Sequence, residues 1–266
     1  MCGICGVVLP TEERLPDGLI ERMARTMRHR GPDDEGFASL SGVALGFERL
    51  AVLDAAGGRQ PMRSEDGSAI LVFNGEIFNH RILRQTLEST GRHRFQTRSD
   101  TEVLLHAYLE YGPDCLRHLR GMFAFAIWDT RDRTLFAARD RLGKKPFFYT
   151  RADGQFIFAS ELRSVLTHPN VSRNLNYRAI DSYLTYQYIP SPETIFTNIS
   201  KLPPGSRLIY RDGHVQEQTY WEPSFWPKTE LTFDEAVVEF RASLRRATEW
   251  RLQADVDVGA FLSGGK

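Results

Sequence analysis

Apolar residues recur along this chain at two spacings, which together predict a mixture of helices and strands. From Leu19 onwards they stand three or four positions apart, which predicts a helix that Gly31-Pro32 ends. Further helices are predicted after Asn79 and at Ser99-x-x-Glu102, which has the form of a capping box. Short runs rich in β-forming residues predict strands at 5–9, 37–40, 43–47, 69–73, 122–128, 135–138, 147–149 and 156–158.

The predicted strands are gathered between helical segments and do not alternate with helices one by one. This arrangement fits a pair of sheets covered by helices better than a series of βαβ units. Pro190, Pro192, Pro203 and Pro204 then predict a loop-rich region. Residues 1–221 are therefore predicted to form one α+β domain with its C-terminal connector.

Residues 222–266 have a different character. Thr232-x-x-Glu235 predicts the start of a long helix, and 256–262 has the composition of a buried strand that leads into Ser263-Gly264-Gly265. One helix and one strand cannot make an α/β domain. We expect this segment to be the truncated start of a second domain.

Composition excludes several classes of function. The 34 basic and 34 acidic residues cancel, which argues against a nucleic-acid or an anionic membrane surface. The chain has no apolar stretch long enough to span a bilayer and no secretory leader after Met1. Three cysteines are too few for a disulfide framework in 266 residues, so a cytoplasmic location is expected.

The second residue carries the strongest chemical signal. Removal of Met1 would leave Cys2 as the N-terminal residue, with a thiol and a free α-amine together. The thiol is a nucleophile, and an α-amine with a pKa of about 8 can act as its general base. No second side chain is then needed to activate it.

The spacing Cys2-x-x-Cys5 has a competing interpretation as half of a zinc site or as a redox pair. A zinc site needs further ligands, and no second cysteine pair or Cys/His cluster follows. A redox pair opens a helix, whereas the residues after Cys5 predict a strand. No metal site is therefore predicted, and Cys5 is interpreted as a small buried residue of the first strand.

Seven short motifs follow one another in an order that resembles the glutaminase domain of glutamine-hydrolysing asparagine synthetases. They are Cys2-Gly3-Ile4, His29-Arg30-Gly31-Pro32-Asp33, Glu48-Arg49-Leu50, Asn74-Gly75-Glu76-Ile77-Phe78-Asn79, Ser99-Asp100-Thr101-Glu102, Gly121-Met122-Phe123-Ala124-Phe125 and Arg139-Asp140 to Pro146. The resemblance implies the αββα sandwich of the N-terminal-nucleophile hydrolases. Class II amidotransferases for purine and glucosamine synthesis share the cysteine and the Asn-Gly pair, but the second and third motifs favour the asparagine synthetase type.

The resemblance assigns catalysis to Cys2, Asn74 and Gly75. Cys2 would attack the carboxamide of glutamine and form a γ-glutamyl thioester, with release of ammonia and then of glutamate. The Asn74 side-chain amide and the Gly75 N–H would stabilise the negative oxygen of the tetrahedral stages. Taken alone, Asn74-Gly75 favours a hairpin turn, but its place after a strand and before Glu76 in this series favours the oxyanion hole. The glutaminase step would need no cofactor.

The resemblance also assigns the binding of glutamine. Arg49 would pair with the α-carboxylate, and Asp100 and Glu76 would hold the α-ammonium group. The segment Leu50-Ala51-Val52-Leu53 would line the pocket, although a core strand explains these residues equally well. Arg30-Gly31-Pro32-Asp33 has two interpretations: a loop ordered near the nucleophile, or a turn that ends a helix.

A second, incomplete motif stands at the end of the chain. Leu262, Ser263, Gly264 and Gly265 resemble the start of a pyrophosphatase loop whose backbone amides hold ATP phosphates, while Lys266 departs from that pattern. The resemblance implies a synthetase domain, missing here, that would use ATP and Mg²⁺ and would receive the channelled ammonia to amidate aspartate.

Three functions compete at this point. The first is a glutamine amidohydrolase of the asparagine synthetase type. The second is a non-catalytic truncated remnant or partner-binding pseudo-enzyme, and the third is an amidase for another amide. The first is preferred because Arg49 and Asp100 suit an amino-acid head group. Glutamine is then the expected partner, and a homodimer is compatible with the sequence.

Overall fold

The computed structural model of the protein describes residues 1–10, 13–261 and 264. Two antiparallel sheets of six strands lie face to face, with helices on both outer faces. In chain order the strands are β1 (Gly3–Val8), β2 (Asp34–Leu40), β3 (Val43–Arg49), β4 (Met62–Arg63), β5 (Ala69–Ile77), β6 (Gly121–Asp129), β7 (Thr134–Arg139), β8 (Phe148–Ala152), β9 (Gln155–Ala159), β10 (Ser200–Lys201), β11 (Ser206–Arg211) and β12 (His214–Thr219). The helices are α1 (Leu19–Arg25), α2 (His80–Ser89), α3 (Asp100–Tyr111), α4 (Leu162–Val165), α5 (Tyr177–Tyr186) and α6 (Phe233–Arg251), and a 3₁₀ helix spans Gly112–Arg117.

The strand order places the beginning of the chain in the middle of a sheet. The first sheet runs β10-β8-β9-β1-β3-β2, and the second runs β12-β11-β7-β6-β5-β4. β1 therefore pairs with β3 on one side and with β9 on the other. Cys2 stands at the end of a strand that is fixed on both edges.

Side chains on β1 alternate between two cores. Ile4 and Val8 face the second sheet, where they pack in one cluster with Phe158. Cys5 and Val7 face the other way and pack in the cluster that contains α1. A third cluster joins α2 and α3 to the outer face of the second sheet. The layer order is helix, sheet, sheet, helix, which confirms the predicted αββα sandwich.

The predicted elements before residue 160 are confirmed, with local differences at their ends. The predicted strands are present, with ends shifted by up to four residues. α1 ends at Arg25, and turns continue from there to Arg30. At the start of α3 the Ser99 side chain accepts a hydrogen bond from the Thr101 N–H. The capping box is not closed there, because the Glu102 carboxylate accepts the backbone N–H groups of 96 and 97.

The interpretation of the region after residue 190 as loops is wrong in part. β11 and β12 form a hairpin there, and β11 pairs with β7 in the register Leu208↔Ala137. Leu208 and Tyr210 are buried between the two sheets. In the sequence, β11 is marked only by a short alternation of apolar and polar residues, which the nearby prolines obscure. It forms a strand because it pairs with the edge of β7.

The segment after residue 221 contains one confirmed element and one wrong prediction. The capping box of α6 is complete, since the Thr232 side chain accepts the Glu235 N–H and the Glu235 carboxylate accepts the Thr232 N–H. Residues 256–261, the described part of the strand predicted at 256–262, are not in a strand. A strand exists only when a neighbouring strand accepts its hydrogen bonds. The described chain offers this segment no such neighbour.

Three further observations concern membrane spans, metal ligands and cysteines. Within the described ranges, no helix is both long and apolar enough to cross a membrane. Where the structure describes the chain, no three His, Cys, Asp or Glu side chains are grouped so that they could hold a metal ion. Cys2, Cys5 and Cys115 are free thiols, and Cys5 is fully buried in β1, as predicted.

We expect Gly6→Ala to destabilise the sandwich. Gly6 lies in β1, and a Cβ there would stand 2.5 Å from the Phe158 ring and 2.8 Å from the Leu45 side chain. Overpacking of this kind costs roughly 1–3 kcal/mol of unfolding free energy. Urea unfolding measures the loss. Gly259→Ala is the control, because no described residue beyond its chain neighbours lies within 4 Å of the added methyl. Equal midpoints for both variants would contradict the expectation.

Candidate active site

Cys2 opens onto a cavity of about 150 Å³ between the ends of β1, β3 and β5. Most of the residues assigned to glutamine line this cavity: Cys2, Arg49, Leu50, Val52, Leu53, Asn74, Gly75, Glu76 and Asp100. Ala51 does not line it; its N–H donates to Asp33 Oδ2 at 2.8 Å and so fixes the loop that carries its neighbours. These residues come from four separate stretches of sequence, which the fold brings together.

The Cys2 thiol is held by the residue that follows Arg49. The Leu50 N–H donates to Cys2 Sγ at 3.4 Å, and the Leu50 carbonyl oxygen lies 3.6 Å from the same sulfur. Burial raises the pKa of the Cys2 thiol, and the Leu50 N–H opposes that rise. The thiol is therefore neutral near pH 7 and needs a base to become a nucleophile.

The start of the chain is anchored through Arg30. The Met1 ammonium donates to the Arg30 carbonyl oxygen at 2.7 Å, and Arg30 Nε donates to the Cys2 carbonyl oxygen at 2.9 Å. Met1 itself is 54% exposed, so its removal leaves the sandwich intact. An amine on Cys2 would then stand beside the thiol.

Asn74 and Gly75 lie inside β5, so their interpretation as a hairpin turn is wrong. They pair with Ala124 and Phe123 of β6. A Cβ at Gly75 would stand 2.2 Å from the Met122 carbonyl oxygen, so only glycine lets the two strands approach this closely. The close approach places the Asn-Gly backbone at the wall of the cavity.

The Asn74 side chain is buried without a partner. It is 1% exposed, and neither its amide nitrogen nor its amide oxygen has a hydrogen bond to any described residue. An unsatisfied buried polar group costs roughly 1–3 kcal/mol. Such a cost is retained at functional sites, where a ligand supplies the missing partner.

The Gly75 N–H is turned away from β6 and towards the same cavity. Backbone groups of a strand alternate between its two edges, so residues 73, 75 and 77 share one edge. On that edge the Phe73 N–H donates to Gln60 Oε1 at 2.6 Å and the Ile77 N–H donates to Asp100 Oδ2 at 2.9 Å. The Gly75 N–H between them faces the cavity beside the Asn74 amide, which gives two donors for one anionic oxygen.

Arg49 is a buried cation that carbonyl oxygens orient. It is 4% exposed, and its Nη1 and Nη2 donate to the carbonyl oxygens of Ala55 and Asp54, each at 2.7 Å. In the described part of the chain, no carboxylate lies within 4.0 Å of its guanidinium. A Cβ at Gly58 would stand 2.8 Å from Nη2, so this glycine gives the guanidinium its space. The charge remains available to an anion in the cavity.

Asp100 is a buried acid at the start of α3. Burial, with the Glu76 charge as a smaller contribution, raises the pKa of Asp100 to about 7 despite the hydrogen bond from the Ile77 N–H. Burial likewise raises the pKa of Glu76, and the nearby Lys145 ammonium opposes this rise. Two acids therefore line the same cavity as Arg49, a combination that suits a zwitterionic head group.

Residues to which the sequence analysis assigns no role in the site also line the cavity, among them Gln60, Thr101, Met122 and Lys145. Lys145 is buried, and burial lowers the pKa of its ammonium group. The Asp140 carboxylate accepts the Lys144 and Lys145 N–H groups and so positions this lysine. In the sequence, Lys145 belongs to the motif from Arg139-Asp140 to Pro146. This motif predicts a turn but does not show which of its side chains points into the cavity.

The segment 29–33 orders the residues beside the nucleophile. A Cβ at Gly31 would stand 2.4 Å from the Arg49 backbone, and the Asp33 N–H donates to the Arg49 carbonyl oxygen at 3.0 Å. Together with the contacts of Arg30, this supports the functional interpretation of the motif. His29 stands apart from the cavity, with Nε2 at 3.0 Å from Glu161 Oε1.

The nucleotide loop predicted at the end of the chain lies almost wholly outside the described residues. Leu262, Ser263 and Gly265 lie outside the described residues, and Gly264 is described without neighbours within 4 Å of an added Cβ. The loop stays a prediction.

Several known proteins are similar in sequence to this chain. The model of the glutamine amidotransferase domain family matches residues 1–221. Asparagine synthetase [glutamine-hydrolyzing] 1 and 3 of Bacillus subtilis are 38% and 39% identical over all of this chain, which spans 42% and 44% of their lengths. A putative asparagine synthetase [glutamine-hydrolyzing] of Methanocaldococcus jannaschii is 36% identical, and the chain spans 55% of it.

A solved structure agrees with the fold. Glutamine phosphoribosylpyrophosphate amidotransferase of B. subtilis superimposes with a TM-score of 0.62 at 22% identity, over 84% of this chain and 50% of the other. At this identity the likeness concerns the fold. The family match covers most of the chain, including each residue assigned to catalysis and glutamine binding. The chain belongs to the glutamine amidotransferase domain family.

Proposed function

We propose that this chain hydrolyses glutamine through Cys2 and supplies the ammonia for an asparagine synthetase. The observation that carries the proposal is the unpartnered Asn74 amide, buried at the cavity that Cys2 opens onto. Arg49 and Asp100 line the same cavity and offer opposite charges to the head group of an amino acid. The carboxamide end would then reach the sulfur and the two oxyanion donors.

The reaction begins once Met1 is removed. The Cys2 amine accepts the thiol proton while Sγ attacks the carboxamide carbon, and the negative oxygen is held by Asn74 Nδ2 and the Gly75 N–H. The ammonium form of the amine returns its proton to the departing nitrogen, and the carbon–nitrogen bond breaks to leave a γ-glutamyl thioester and ammonia. Water, deprotonated by the same amine, then attacks the thioester and releases glutamate and the free thiol.

The competing functions have less support. A remnant without catalysis would gain nothing from burying Asn74 without a partner or from keeping Arg49 free of a carboxylate. An amidase for another amide would not need a cation and two acids in its cavity. Glutamine satisfies each of these groups.

The larger reaction rests on the relatives. They are named asparagine synthetases and are about twice as long as this chain, which spans 42% to 55% of those reported above. We assign ATP and Mg²⁺ to the region of such proteins that lies beyond this chain, and cytoplasmic location to the whole. The homodimer stays a prediction.

The segment that follows α6 supports a link between the two regions. The Asp54 N–H donates to Asp255 Oδ2 at 2.7 Å, and the Asp255 N–H donates to the Val52 carbonyl oxygen at 3.0 Å. Gln253 Nε2 donates to the Phe78 carbonyl oxygen at 3.1 Å, just beyond β5. Residues 253–255 thus contact the loop whose carbonyls orient Arg49.

Intact mass and glutamate release test the nucleophile together. We expect the purified protein to lack Met1 and to release glutamate, and Cys2→Ala to abolish the release. Cys115→Ala removes another buried free thiol and should retain activity. An uncleavable N-terminal extension should silence the enzyme, because the Cys2 amine would remain in a peptide bond. Activity in Cys2→Ala, or silence in a correctly processed wild type, would refute the assignment.

The ionisation of Asp100 should govern glutamine binding. Below its pKa of about 7 the carboxyl is protonated and cannot pair with the α-ammonium group. In Cys2→Ala, where no turnover occurs, we expect the Kd for glutamine to rise as the pH falls through 7, approaching about tenfold per unit. Calorimetry measures this. Glutaramate, which lacks the α-ammonium group, is the control ligand; an equal pH dependence for it would contradict the role of Asp100.

The contact of Asp255 should affect affinity more than turnover. Asp255→Ala removes the acceptor for the Asp54 N–H, and a hydrogen bond is worth roughly 0.5–1.5 kcal/mol. We expect the KM for glutamine to rise about two- to tenfold with little change in kcat. Steady-state kinetics tests this, with the exposed Asp257→Ala as the control. A falling kcat at constant KM would argue against a role in the Arg49 loop.

A further inference from the structure

Gln60 completes the edge of β5 where the neighbouring strand stops. β4 pairs with β5 only at Met62↔Leu71 and Arg63↔Ile70. Two residues further along β5, the Phe73 N–H donates to Gln60 Oε1 at 2.6 Å, and Gln60 Nε2 donates to the Phe73 carbonyl oxygen at 3.1 Å. One side-chain amide therefore makes both hydrogen bonds that a residue of an adjacent strand would make.

The position of this pair relative to the oxyanion donors gives it significance. Phe73 directly precedes Asn74, whose side chain has no hydrogen bond of its own. Nothing polar orients the Asn74 amide before substrate binds, so its direction depends on the backbone that carries it. That backbone is fixed by β6 on one edge and by Gln60 on the other.

Gln60 also joins β5 to the start of α3. Its Nε2 lies 3.3 Å from Thr101 Oγ1, and Thr101 follows Asp100 in that helix. The Asp100 carboxylate in turn accepts the Ile77 N–H of β5. Gln60 and Asp100 thus form hydrogen bonds to β5 on either side of Gly75. The Gly75 N–H is the second proposed oxyanion donor.

The environment of Gln60 leaves its side chain little freedom. The residue is 9% exposed, and a Cβ at Gly36 would stand 1.9 Å from the Gln60 carbonyl oxygen. The backbone of Gln60 is therefore packed directly on β2. A side chain anchored in this way can transmit the rigidity of the first sheet to the Asn74 strand.

We propose that Gln60 is a positioning residue for the oxyanion hole, acting through the backbone of Phe73. This inference rests on the proposed function, since an oxyanion forms only if Cys2 attacks an amide. Gln60 touches neither the thiol nor the reacting carbon in this role. Its loss should weaken stabilisation of the tetrahedral stage and leave the binding of the head group by Arg49 and Asp100 unchanged.

The test compares two substitutions of buried glutamines. Gln60→Met keeps the length of the side chain and removes both hydrogen bonds to Phe73. Gln155→Met is the matched control, because Gln155 is also buried and hydrogen-bonded on both amide atoms, to Glu13 and His168, but lies outside the cavity. Glutamine turnover is measured for both, together with inhibition by glutamate γ-semialdehyde, which forms a tetrahedral adduct with a thiol.

For Gln60→Met we expect kcat to fall about tenfold to a hundredfold at an unchanged KM, because small displacements of catalytic groups have effects of this size. The affinity for the semialdehyde should fall by a similar factor, since its adduct uses the same two donors. Alkylation of Cys2 by iodoacetamide forms no oxyanion and should keep its rate. Gln155→Met should match the wild type in each of these measurements.

Other results would overturn the proposal. An unchanged kcat, or a reduced kcat with unchanged semialdehyde affinity, would refute positioning of the oxyanion donors. A similar loss in Gln155→Met would indicate general destabilisation. Should Gln60→Met fail to fold, Gln60→Glu keeps the volume and the acceptor for the Phe73 N–H but loses the donor to its carbonyl oxygen, and the same loss of kcat is expected. A wild type without turnover would instead refute the proposed function itself.

Discussion

The site depends on one edge of β5 that has no complete neighbouring strand. β6 pairs with β5 over its whole length, whereas β4 covers only its beginning. Beyond β4, the alternate backbone groups on this edge meet Gln60, the cavity and Asp100 in turn. An unpaired edge is normally a liability, because its N–H and C=O groups seek partners. Here the side chains of Gln60 and Asp100 accept the N–H groups of Phe73 and Ile77. The Gly75 N–H between them is left directed at the cavity.

The same edge explains why the polar groups of the cavity can be buried. Arg49 is surrounded by carbonyl oxygens of the loop that follows it, which offset part of the cost of burying its charge. Asp100 accepts one backbone N–H and still has a raised pKa, so its burial is only partly compensated. The Asn74 amide has no partner among the residues that the structure describes. In the proposed function, glutamine or its tetrahedral adduct supplies a partner for each of these three groups.

The position of Cys2 follows from the sandwich itself. β1 is central in the first sheet, and its side chains alternate between the inter-sheet core and the core under α1. The residue before such a strand cannot move far, yet Met1 remains exposed at the surface. A thiol at this place is followed by a rigid strand and preceded by an exposed methionine that can be removed. Arg30 and Leu50 complete its attachment through backbone contacts.

The sequence by itself determined the class of fold, most strands and the residues proposed for the site. Strand periodicity, helix-ending Gly-Pro pairs and the ordered motifs around Cys2, Arg49, Asn74 and Asp100 were sufficient, because these signals depend on neighbouring residues or on a specific resemblance. Only the tertiary structure decided that Asn74-Gly75 is strand and not turn, and that the β11–β12 hairpin completes a sheet. It also decided that Gln60 and Lys145 reach the cavity and that 256–261 is not a strand. These outcomes depend on which strand edges are free and what packs against them, and contacts between distant residues leave no local pattern in the chain.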